Sequence, residues 1–146
     1  MRWLIITLAM LVLIARPLAA QQFAAAGIND DSLVLSFFHD LQAAIRRADS
    51  QKVATLIKYP LVVNDSTGRQ LIRTQQAFLR QYSRVITPSV RHAVLAQSAD
   101  SLFANWQGVM IGRGHVWFGM NCLKTQPSAC GRIGVEAINR DAPPVR

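Results

Sequence analysis

A chain of 146 residues, 51% of them hydrophobic and 16% charged, is long enough to bury one core and short for two domains of ordinary size. That balance excludes a chain kept unfolded by lack of apolar surface. Its net charge of +8 is spread over scattered basic residues with no run beyond Arg46-Arg47 and no aromatic-rich RNA-binding signature, so nucleic acid is not the expected partner.

Residues 1–20, MRWLIITLAMLVLIARPLAA, open with Arg2 and run apolar from Trp3 to Ala15 with only Thr7 interrupting. Arg16, the helix-breaking Pro17 and the small residues Ala19 and Ala20 follow. The pattern is that of a secretory signal peptide cleaved near Ala20. A spanning helix needs about 20 apolar residues, so no stable membrane anchor is expected after cleavage. Cleavage removes Arg2 and Arg16, lowers the net charge from +8 to +6, and places the protein in the periplasm or outside the cell. A basic surface would also suit an envelope interaction or immunity-type protein, whose binding should weaken with salt.

A small-residue lead over 21–30 reads as flexible. From Asp31 to Ala48 the apolar positions Leu33, Val34, Phe37, Phe38, Leu41, Ala44, Ile45 and Ala48 recur at helical spacing, behind the capping residues Asp30, Asp31 and Ser32. A shorter helix restarts at Asp49 or Ser50 and is expected to end at Tyr59-Pro60. PLVVN and RQLIR are short strands around Asp65-Ser66-Thr67-Gly68. Thr74 caps a helix predicted to run through Ile86, and Thr87-Pro88 starts another. From Ser101 the period becomes that of strands, in SLFANWQGVMIG, GHVWFGMNC and GRIGVEAIN, a three-stranded antiparallel meander. The tail 141–146 is expected to be disordered. Helices and strands segregate, so the fold class is α+β: N-terminal helices packed on a curved antiparallel sheet, in one domain over 31–140.

Cys122 and Cys130 enclose seven residues. In an exported protein so close a pair reads as a disulfide, and two thiols with no nearby His do not suggest a metal site. A tight turn over Arg113-Gly114 pairs Ile111 with Val116 and Val109 with Phe118. Val109, Ile111, Val116, Phe118 and Met120 then share one face, and Trp106, Met110, His115 and Trp117 the other. Both faces are largely apolar, so the second needs a cover: helices, a partner subunit or a ligand.

Three residues are candidates for chemistry. His115 could serve as a general base near neutral pH; Glu136, the only glutamate, could do so among apolar neighbours; Tyr82 could donate its hydroxyl into a pocket. The plainer reading of each is structural: a turn or dimer contact, a paired or solvated carboxylate, a tyrosine at the core rim. His39-Asp40 belongs on a solvated face, because adjacent helix residues point about 100° apart, and nothing singles out His92. No G-x-S-x-G, H-E-x-x-H, Walker or dinucleotide glycine pattern is present, so neither cofactor nor metal is expected.

The element order, with the stretches FFHDLQAAIRRADSQKVATLIKYPLVV and LFANWQGVMIGRGHVWFG, resembles exported bacterial members of the nuclear transport factor 2-like superfamily over about residues 32–139. The resemblance implies an α+β cone with a pocket between sheet and helices, frequent dimerisation through the sheet, and no fixed chemistry. Ketosteroid isomerase-like members oppose an acidic base to a hydrogen-bonding oxyanion site; those positions find no match here, so no catalytic residue is carried over. The expected function is a small exported binding protein. It would hold an apolar small molecule or a protein partner in a pocket or on the second sheet face, at Trp106, Met110, His115 and Trp117, with a homodimer through the sheet as one outcome. The alternative is an isomerase- or hydrolase-like enzyme using His115 or Glu136 for proton transfer.

Overall fold

The computed structural model describes residues 21–120 and 131–145. The expected signal peptide and the Cys122–Cys130 disulfide lie outside the described residues.

Helix α1 spans Asp31–Arg46, with Asp30 accepting from the Ser32 amide at 3.0 Å. It buries Val34, Phe37, Phe38, Leu41, Ala44 and Ile45, the stripe its spacing predicts. Leu33 instead points outward, and the helix stops short of Ala48, which takes a left-handed φ of 52°. Asp49 then caps α2, Ser50–Thr55, by accepting from the Lys52 amide.

Strand β1 runs Ile57–Asp65. Tyr59-Pro60, expected as a helix stop, lies inside this strand as a cis pair, and α2 has already ended two residues before β1. Strand β2, Gly68–Ile72, returns antiparallel to β1. Thr74 caps α3, Gln75–Arg80, but the single helix expected through Ile86 breaks at Gln81 and resumes as α4, Tyr82–Val85. Thr87 caps α5, Pro88–Ala96, with the proline in the first turn, where no amide is missed.

The predicted three-stranded meander has four strands: β3 Phe103–Asn105, β4 Gly108–Ile111, β5 Val116–Gly119 and β6 Gly134–Asn139. The extra turn falls at Trp106-Gln107, where the Asn105 side chain accepts from the Gln107 amide at 2.8 Å and Gly108 takes φ 133°, a value that suits glycine. The strands form one sheet in the order β2-β1-β6-β5-β4-β3. β1 and β6 pair in parallel while the other pairs are antiparallel, so the sheet is mixed rather than antiparallel throughout. The architecture is α+β, with the helices packed on one sheet face through contacts such as Phe37 on Phe118, ring centroids 4.9 Å apart.

The lead is part of the core. Phe23 and Ile28 are buried, and the Gln22 and Phe23 amides donate to the Asp31 carboxylate at 3.0 and 3.3 Å. A buried Phe contributes roughly 1.5–3 kcal/mol of transfer free energy, enough to dock a segment whose composition reads as flexible. At the other end Arg140 pairs with Asp65, and Asp141 accepts from the Ser66 amide at 2.7 Å. The start of the tail is therefore tied to the β1–β2 turn.

Candidate functional site

The space between helices and sheet is filled. Leu41, Ile45, Ile57, Val116, Val135 and Ile138 close around a cavity of about 10 Å³ with no polar lining, which is too small for a ligand.

The opposite face of the sheet carries the unusual feature. Phe103 stands opposite Met110, Met110 opposite Trp117, Trp117 opposite Ala137, Ala137 beside Val62, and Val62 opposite Leu71. One apolar residue from each strand thus forms a ladder across all six, edge to edge. Their alternating neighbours Val109, Phe118 and Val63 are core, so the ladder faces away from the helices. At its ends Phe103 is 51% and Leu71 41% exposed. A register shift between Trp117 and Phe118 makes Glu136 the extra residue of β6, so that Val135 and Ile138 both reach the core while Ala137 joins the ladder. A bulge of this kind re-aims side chains.

Beside the ladder lies a polar groove. A hollow of about 240 Å³ is lined by Asn64, Gln107, Trp117, Glu136, Ala137 and Asn139. A second, of about 330 Å³, shares Asn64 and Asn139 and continues over Arg113, Gly114 and Asp141 to Pro143. Asn64 Nδ2 donates to Asn139 Oδ1 at 2.8 Å, and Asn139 Nδ2 donates to the Gly114 carbonyl at 2.5 Å. At the floor, Lys58 Nζ lies 3.0 Å from Glu136 Oε1, with the lysine side chain 1% and the glutamate 19% exposed.

Of the residues expected on this face, Met110 and Trp117 are there. Trp106, expected on this face in one strand with Met110, sits instead in the β3–β4 turn, 81% exposed, and Phe103 of β3 stands opposite Met110. His115 is turned the other way. It is fully buried, its Nε2 is 3.3 Å from the Ser89 hydroxyl of α5, and its Nδ1 accepts from the Arg113 amide at 3.3 Å. Gly112 and Gly114 both take positive φ, 67° and 98°, so strict alternation fails through the turn and the imidazole lands on the helix side. Since Nδ1 accepts, the proton is assigned to Nε2, which donates to Ser89. Burial, reinforced by His92, holds the imidazole pKa below its ordinary value.

Glu136 and Tyr82 lie in other surroundings. Glu136 pairs with Lys58. Tyr82 stacks edge-on against Phe78 at 5.8 Å; its buried hydroxyl meets no partner among the described residues, and burial pushes its pKa up. The structure does not bring the three candidates into one concavity, as a proton-transfer site would require. Among the described residues no group of three or more His, Cys, Asp or Glu could hold a metal, and no helix is long and apolar enough to cross a membrane.

Val62, Leu71, Phe103 and Ala137 escape the sequence reading. Each is an apolar residue at a polar-face position of its strand, a signal visible only once pairings between distant strands are known. Comparison with family models, curated proteins and solved structures finds no match.

Proposed function

We propose that this chain is a small exported binding protein with a nuclear transport factor 2-like cone, and that it recognises its ligand on the outer face of the sheet, not in an interior pocket. The carrying observation is the six-residue ladder from Phe103 to Leu71. Its ends, Phe103 and Leu71, are exposed and the four residues between them are half-buried. The apolar surface the row still shows forgoes the stabilisation its burial would supply, and a contiguous apolar row on the outer face of a sheet supports an interaction surface. The element order supports the cone, and the leader-like first 20 residues support export. Proton transfer by His115, Glu136 or Tyr82 has less support, because each sits in a different environment.

The test uses the polarity-sensitive dye Nile red with the wild type and with a Met110→Gln, Leu71→Gln double variant. Dye fluorescence should rise with the wild type and fall away in the variant, with unfolding midpoints nearly equal. Equal dye binding by both proteins would place the apolar site elsewhere and end the proposal.

A further inference from the structure

We infer that the groove beside Trp117 binds a neutral saccharide chain, with one sugar ring against the indole and the next in the hollow between Asn139 and Arg113. The inference rests on the reading of the outer face as the recognition surface, and adds the class of ligand.

The two hollows, of about 240 and 330 Å³, share Asn64 and Asn139 and so form one trough across β1, β6 and β5. Gly114 lines the larger hollow, and a Cβ there would lie 3.9 Å from Trp117 Nε1 and 4.0 Å from Asn139 Nδ2, so the glycine sits beside both the indole and the shared asparagine.

The lining selects the ligand. Trp117 supplies an apolar ring surface with an N–H at its edge, and the Asn64, Asn139 and Arg113 side chains supply donors. The Asp141 carboxylate supplies an acceptor. A hydroxyl both donates and accepts, so a sugar can match such a mixed wall while its C–H face packs on the indole. A wholly apolar ligand would strip water from these groups without replacing its hydrogen bonds.

Charge and position exclude two other classes. The chain carries +8, but Lys58 faces Glu136, Arg140 faces Asp65, and Arg113 shares its hollow with Asp141. With no surplus of positive charge, the trough does not suit a polyanion. It also lies mid-sheet, away from the edge strands β2 and β3, so an extended peptide could not add to it as a strand.

The experiment titrates the purified protein with neutral tetrasaccharides of glucose, N-acetylglucosamine and mannose to about 10 mM, the range for weak binding. The readout is the NMR signal of the Trp117 indole N–H, identified by its loss in Trp117→Leu. At least one sugar should shift that signal and the Gly114 amide saturably. Trp117→Leu, which keeps the ladder apolar, should bind the sugar about tenfold more weakly or worse and still bind Nile red. No shift with any of the three sugars, or full affinity in Trp117→Leu, overturns the saccharide assignment. If Nile red still binds the ladder in that case, the outer-face reading stands; if the dye fails too, both fall.

Discussion

The ammonium of Lys58, almost fully buried, lies 3.0 Å from Oε1 of Glu136, the extra residue of the β5–β6 bulge. The two ends of this pair differ in access to water, and their substitutions should differ accordingly. Glu136→Gln takes the carboxylate away from a buried ammonium and should cost about 3 kcal/mol. Lys58→Met removes the buried charge and leaves a carboxylate that still reaches solvent, so it should cost about 1 kcal/mol. Urea midpoints at constant slope read the difference. Equal losses would mean that the carboxylate is as desolvated as the amine.

His115 should make stability depend on pH. Its pKa is held below the ordinary 6.5 by burial and by His92, so between the folded and unfolded values the unfolded chain binds more protons. Stability from this group is therefore complete above pH 6.5, declines as pH falls below it, and levels off beneath the folded value. His115→Gln should flatten that part of the profile in thermal melts. Asp30 and Asp141, whose pKa values are lowered from 3.8 by hydrogen bonds from Ser32 and Ser66, act in a separate window: their stabilisation is complete above 3.8 and is lost as pH falls further.

Two glycines with similar backbone should respond differently to alanine. Gly27 has φ 73° and open space around it, whereas a Cβ at Gly112, φ 67°, would meet His115 Nδ1 at 2.7 Å and Ala93 Cβ at 3.0 Å. Gly27→Ala should cost about 1 kcal/mol, from the left-handed backbone alone. Gly112→Ala should cost about 3 kcal/mol, because the close contacts add to that strain. Matching melting temperatures for the two variants would show that the imidazole yields without cost.

Phe23→Ala should destabilise the protein by about 3–4 kcal/mol, the range for a buried aromatic, although its segment reads as a loose lead. Calorimetry would settle the point. A loss under 1 kcal/mol would mean that residues 21–30 detach without disturbing the core.

What the sequence revealed was mostly local. The α1 stripe and the caps Asp49, Thr74 and Thr87 depend on residues a turn apart, and the Ile111–Val116 and Val109–Phe118 pairs on one hairpin. The β3–β4 turn was hidden because Trp106 and Gln107 interrupt no apolar period, and the deciding features are the Asn105 side chain and the Gly108 backbone. Alternation alone places His115 on the outer face, but alternation does not carry through a turn with two positive-φ glycines. Phe23 was missed because one aromatic among alanines has no period. The ladder needed β1 to find β6, a pairing over some 75 residues, as between Asn64 and Asn139, that no short window contains.

That parallel pairing has a consequence for the order in which the molecule can be made. β6 occupies an interior position, between β1 and β5. Until residues 134–139 arrive, the earlier strands exist as a two-stranded hairpin and a three-stranded piece with no hydrogen-bonded seam between them. Closure must wait for contacts between residues some 75 apart, and contacts so distant in sequence are slow to form. The trough beside Trp117, whose walls come from both pieces and from β6 itself, is complete only once β6 is seated between them.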